Sequence, residues 1–359
     1  MPERNTMKKI QELQQVKGDA YDYYIAGNED TDLFEKIFLV DDIVEEICKP
    51  DKYFLIGEKG SGKTAYSVYM SKSDKINSFC SISLVENTLY QRFLNMKRQK
   101  ALELSSFKDV WINLIYLILA EKIRKEYGET FFSSIKYKQL SKAIDVFYSD
   151  AFKPEFVNAF EFVDNACASI NSMMKQGLFS TGTKASAETS QKYVEQSFQI
   201  SLLKIRDGFE KAFMSVNLKK PTILFVDGID ARPRDIDNEQ YFECLVGLVN
   251  AVLEMNQSFL KEKQIKIMLL IRPDIMYKMP VHNMNQKLRN NSVLLNWVTS
   301  YRKYIDSKLF KIADDYFMKQ QDYSYELGEC WNYYFPYKVE YQEKWKAPDN
   351  PFVEFLRYS

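Results

Sequence analysis

The 359-residue chain is poor in the residues that most often announce chemistry. It has a single histidine, His282, with no carboxylate or cysteine spaced for metal binding, and no HExxH or Ser-His-Asp arrangement can be assembled around it. That leaves nothing for a metallohydrolase or a serine hydrolase to work with. The five cysteines, Cys48, Cys80, Cys167, Cys244 and Cys330, are far apart, odd in number and without a CxxC pair. A disulfide framework and a zinc site are both excluded, and a reducing compartment fits. Net charge is absent too, with 49 basic and 49 acidic residues, so charge advertises neither nucleic acid nor an anionic membrane as a partner. The most basic run, Arg92 to Lys100, is the best candidate for a local basic patch and leaves nucleic acid open as a partner, the commoner reading of such a run being the solvated face of a helix. No apolar run approaches the ~20 residues that cross a bilayer, the longest being Val110 to Ala120. The opening MPERNTMKKIQELQQ lacks a signal-like apolar region. A soluble, cytoplasmic protein is expected.

What the chain does have is apolar residues at 46% and charged residues at 27%, the proportions of a folded globular protein. No internal repeat is visible. Five short β-like runs stand out: Tyr53 to Ile56, Phe79 to Leu84, Thr222 to Val226, Ile265 to Ile271 and Val293 to Trp297. Most are apolar without alternation, which suits strands buried on both faces, and helical stretches between them supply the crossovers of a parallel sheet. The fold class expected is therefore α/β. Between the second and third runs lies a stretch too long for one crossover, with apolar residues three and four apart in Phe107 to Tyr127 and Tyr193 to Phe213. It reads as an inserted helical subdomain of helices packed on each other, with Ser180 to Ser190 as a loop.

The expected organisation is an N-terminal segment 1–31, a first core part 32–90, the helical insertion 91–215, a second core part 216–300 and a C-terminal helical region 301–359. Asn350-Pro351 has the chemistry of a helix start. That last helix presents Phe352, Phe355 and Leu356 and stops at Ser359, so its apolar face needs a partner and truncation there is kept open.

One segment carries a specific chemical signal. Gly57-Glu58-Lys59-Gly60-Ser61-Gly62-Lys63-Thr64 follows an apolar strand and precedes the helix-forming AYSVYM. Small residues let a backbone wrap closely round phosphates and turn successive N–H groups inward. In that pattern, Lys63 reaches the β- and γ-phosphates, the Thr64 hydroxyl ligates Mg²⁺, the helix starting there lends its dipole, and Ala65 ends the nucleotide-binding run. The expected ligand is MgATP, although nothing separates adenine from guanine. A magnesium triphosphate also calls for a carboxylate at the tip of a neighbouring strand, and Asp227 follows Thr222 to Val226.

Asp230 suits a residue that orients the attacking water; as an alternative, it caps the next helix. Arg272 ends the fourth strand at the edge where open α/β sheets gather ligands and suits a γ-phosphate sensor, the competing reading being a local pair with Asp274. Arg289, just before the fifth strand, suits an arginine reaching a neighbouring subunit's phosphates, or equally a basic turn with Lys287.

The set GEKGSGKT, ILFVDGID and IMLLIRPDI resembles bacterial P-loop ATPases of the STAND and AAA+ (ASCE) type, especially standalone ATPases associated with phage defence. The resemblance implies phosphate binding at Lys63, magnesium at Thr64 and Asp227, catalytic support near Asp230 and a sensor at Arg272. It also implies a nucleotide-dependent switch or an oligomerising ATPase, working as a homo-oligomer, with a separate effector protein, or both. Relatives commonly carry DGxDE where this chain has DGIDA, ending at Ala231, which points to slow hydrolysis. A P-loop phosphotransferase, and a nucleotide-stabilised binding module with little turnover, are the alternatives.

Overall fold

The computed structural model describes residues 12–25, 28–85, 106–132, 137–151, 202–230, 238–279, 290–297, 301–321, 324–336 and 351–353. The basic run at 92–100, the loop at 180–190, His282, Arg289 and Ala231 lie outside the described residues.

Five strands form one sheet: β1 (Phe54–Gly57), β2 (Phe79–Leu84), β3 (Thr222–Asp227), β4 (Ile265–Ile271) and β5 (Ser292–Leu295), in the order β2-β3-β4-β1-β5. The β2–β3, β3–β4 and β1–β4 pairs are parallel. This is an α/β fold with a parallel sheet, as the unalternating apolar runs predict. Every residue of β1, β3 and β4 is buried, so both faces of the sheet are covered.

The helices are α1 (Ala20–Ile25), α2 (Asn28–Ile37), α3 (Asp42–Cys48), α4 (Lys63–Lys72), α5 (Phe107–Phe132), α6 (Lys138–Ala151), α7 (Asn238–Gln257), α8 (Pro273–Lys278), α9 (Lys308–Met318) and α10 (Glu329–Tyr334). A further helical stretch covers 202–215. The chain divides into two compact units, one made of 1–47, 59–75 and 294–359, the other of 48–58 and 76–293.

The second unit contains β1 to β4 and one large core. Residues of α5, α6 and 202–215 join that core together with Phe54, Ile56, Leu224 and Ile267 of the sheet. The described helices of the expected insertion thus share a core with the strands. The reason lies in α5. All residues from Val110 to Ala120 are buried, so the helix is covered all round rather than along one stripe. Gly247 of α7 lets it approach closely, because a Cβ there would lie 2.6 Å from Phe107 Cβ. At Gly128, with φ 72°, α5 is kinked.

The first unit is built from distant pieces of chain. There α1 and α2 pack on α4, and α9 packs on α2. Phe38 stacks on Tyr69 of α4 at 4.2 Å between ring centroids. A second aromatic cluster gathers Phe310, Trp331 and Phe352, so Phe352 finds its apolar partners within the chain. The buried Asp314 carboxylate caps α10 by accepting the Gly328 and Trp331 amides at 2.6 and 2.9 Å.

Candidate functional site

Parallel strands deliver their carboxyl ends to one edge of a sheet. Here that edge carries Gly57 at the end of β1, Asp227 at the end of β3 and Arg272 directly after β4. Because β4 lies between β1 and β3, Arg272 leaves the sheet between Gly57 and Asp227. The sequence expected the first strand to stop at Ile56; it includes Gly57.

After β1 the chain enters the glycine-rich loop. Gly60 and Gly62 both adopt left-handed backbone, at φ 79° and 87°, a region that strains any side-chain-bearing residue. Gly62 is also the N-cap of the ten-residue helix α4. A glycine cap brings no side-chain oxygen, and no side chain caps α4. The positive end of its dipole therefore faces no capping side chain, an arrangement that favours an anion. Ser61 adds a second sign of the same kind, since its hydroxyl is buried, at 5% exposure for the residue, and makes no hydrogen bond.

The backbone of this turn is held at two points. The Gly62 carbonyl accepts the Tyr66 amide at 3.0 Å, the first bond of the helix. The Ser61 carbonyl accepts the indole N–H of Trp297 at 2.8 Å. Lys63 opens α4 and is buried, Thr64 and Ala65 follow in its first turn, and Glu58 and Lys59 are exposed. One turn beyond Lys63, the Tyr66 hydroxyl donates to Asp41 Oδ1 at 2.9 Å, and Asp41 Oδ2 takes Lys308 Nζ at 2.7 Å. Burial, followed by the Asp41 charge, holds the Tyr66 phenol far above its ordinary range, which makes it a permanent donor.

Asp227 is buried, at 7% exposure, and its Oδ1 accepts the Gly228 amide at 2.7 Å. Gly228 has φ 82°, and a Cβ there would lie 2.9 Å from the Val85 carbonyl oxygen. The Tyr241 hydroxyl donates to the Ile229 carbonyl at 2.8 Å and fixes the turn that carries Asp230, which is half-buried. Arg272 is engaged locally: its Nε and one terminal nitrogen pair with both carboxylate oxygens of Asp274 at 2.9 and 2.8 Å.

Sequence reasoning missed Trp297, Asp41 and Lys308. It placed Trp297 inside the fifth strand, whereas β5 ends at Leu295. Only a polar-tipped aromatic just beyond a strand hinted at its role.

A cavity of about 210 Å³ opens at the other, amino edge of the sheet, lined by Cys48, Thr222, Asn256, Ile265 and Lys266 among others. Two of its polar side chains are committed to backbone. Lys266 Nζ donates to the Lys49 carbonyl at 2.8 Å, and Asn256 bonds the amide and the carbonyl of Ile267. Burial depresses the Lys266 ammonium to about 8. Among the described residues no cluster of three or more His, Cys, Asp or Glu side chains could hold a metal ion. No described helix is long and apolar enough to cross a membrane. No family model, no curated protein and no solved structure matches the chain.

Proposed function

We propose that the chain binds a magnesium nucleoside triphosphate, ATP, through Gly57 to Thr64 and hydrolyses it slowly as a nucleotide-dependent switch. The observation that carries this reading is the backbone turn itself, in which a buried strand leads through two left-handed glycines into a helix whose N-cap is glycine. Such a turn presents backbone amides and the positive end of a helix dipole to phosphate oxygens. The buried, unbonded Ser61 hydroxyl fits the same occupant.

Lys63 would counter the charge of the terminal phosphates and the Thr64 hydroxyl would donate an oxygen to magnesium, while the resemblance alone supports a magnesium role for Asp227. When bound, the ion would withdraw charge from the phosphates. Asp230 orients the attacking water and Arg272, once released from Asp274, senses the γ-phosphate. The resemblance to STAND and AAA+ ATPases supports a role in bacterial antiphage defence or signalling, through a homo-oligomer or an effector protein. Ala231, standing where relatives commonly place a glutamate, supports slow turnover.

Titration calorimetry with MgATP tests the core of the reading. Lys63→Ala should weaken binding by ~100-fold or more, since it removes a charge-assisted contact to phosphate. Asp230→Asn should retain affinity but slow phosphate release. Wild-type protein that fails to bind MgATP would sink the proposal. Gel filtration with ADP, ATP and a non-hydrolysable analogue then reads the switch, and a profile indifferent to nucleotide removes the oligomerising form of it.

A further inference from the structure

The peptide that joins Ser61 to Gly62 is the last one before α4, and its plane has two choices. In a trans peptide the C=O and N–H point to opposite sides, so holding the Ser61 oxygen also aims the Gly62 amide. Little within the turn itself holds it. Gly62 sits at φ 87°, and glycine tolerates both hands of backbone, so rotation of the preceding peptide meets little steric resistance there. In the flipped orientation the carbonyl oxygen would face the loop and oppose the negative charge of a phosphate. The following peptide has no such freedom, because the Gly62 carbonyl already accepts the Tyr66 amide of the helix.

The hold on the Ser61–Gly62 peptide comes from far along the chain. Trp297, 236 residues away, donates its indole N–H to the Ser61 carbonyl at 2.8 Å. Indole is a donor without an acceptor, so it can satisfy the carbonyl but cannot bond the amide if the plane flips. Its rigid ring has few rotamers to lose, which makes it suited to hold one geometry.

We propose that Trp297 is a positioning residue for the triphosphate: its indole N–H locks the Ser61–Gly62 peptide with the carbonyl turned to Trp297 and the Gly62 amide turned to the anion. The inference rests on the reading of Gly57 to Thr64 as a phosphate loop. It assigns Trp297 no contact with nucleotide.

The test compares MgATP and magnesium tripolyphosphate, which has no base or sugar, on wild-type protein, Trp297→Phe, and protein carrying benzothienylalanine at 297. That analogue keeps the fused ring and lacks the N–H, so it covers the case in which the phenylalanine variant misfolds. Loss of one hydrogen bond should weaken both ligands by the same factor, about five- to tenfold, with the thermal midpoint of the analogue protein close to that of wild type. Equal affinity of the folded variants and the wild type for both ligands overturns the proposal and leaves the phosphate loop standing. Loss confined to MgATP also overturns it, since that places Trp297 against base or sugar. Wild-type protein that binds neither ligand overturns both readings.

Discussion

The two edges of the parallel sheet use polar groups in opposite ways. At the amino edge they are spent on the protein itself. Asn256, buried in α7, donates to the Val252 and Ile267 carbonyls and accepts the Ile267 amide, tying α7 to β4 with one side chain. Lys266 and Asn291 likewise donate to the Lys49 and Asp51 carbonyls. At the carboxyl edge the chain leaves β1 for two left-handed glycines and a helix without a side-chain cap. The contrast is one of construction: side chains that tie helix and loop to the strands at one edge, and a glycine-rich turn at the other.

That contrast can be broken most forcefully at Asn256. Replacing it with alanine leaves the Ile267 amide and carbonyl without their partner in the core, and should cost ~3 kcal/mol in urea unfolding. Affinity for MgATP in the protein that stays folded should not change. A large loss of affinity would show that the edges are not independent.

A smaller effect is expected at Lys266, and it carries a pH signature. Its folded pKa, about 8, lies below the value of an unfolded lysine, so the unfolded chain binds more protons in the window between them. The lysine's contribution to stability is thus unfavourable near neutrality and is relieved as pH rises from about 8 towards 10. Lys266→Met should be more stable than wild type at pH 7, by on the order of 1 kcal/mol after loss of the bond to Lys49. The gap measured by thermal or urea unfolding should shrink as the pH is raised through that window. A gap that widens with pH would contradict the sign.

The least effect on stability is expected at the Arg272–Asp274 pair. Asp274 is exposed and Arg272 is partly so, with side chains at 44% and 27% exposure, so Asp274→Ala should change stability by less than ~1 kcal/mol. Turnover should nonetheless rise, because the guanidinium at the end of β4 is released. Unchanged phosphate release would confine that pair to a local, structural role.

Much of the fold was legible because it rests on local pattern. Thr222 to Val226 and Ile265 to Ile271 read as buried strands from apolar and β-branched runs, and they form β3 and β4. The turn at Gly60 and Gly62 was legible because only glycine enters left-handed backbone without strain. The covering of α5 was not, since spacing of apolar residues three and four apart persists in a helix buried all round. Nor was the Ser61–Trp297 bond, nor the Asp41–Lys308 pair, with separations of 236 and 267 residues. Such partners are chosen by tertiary structure, and nothing in either local sequence names the other. Arg272 shows the reverse: its partner stands two residues on, and the local pairing weighed from sequence is the contact the side chain makes.

The unit that holds α4 is assembled from 1–47, 59–75 and 294–359, and this has a consequence for the order of events during synthesis. A chain emerging from its amino end presents Lys63 long before Trp297 and Lys308 exist. Until they arrive, the glycine-rich turn lacks its indole brace and Asp41 lacks its lysine partner. The unit containing 76–293 can meanwhile bring together β1 to β4 and their core. On the proposed reading, the last factor of about five to ten in phosphate affinity would come late in synthesis, with the segment that also carries α9.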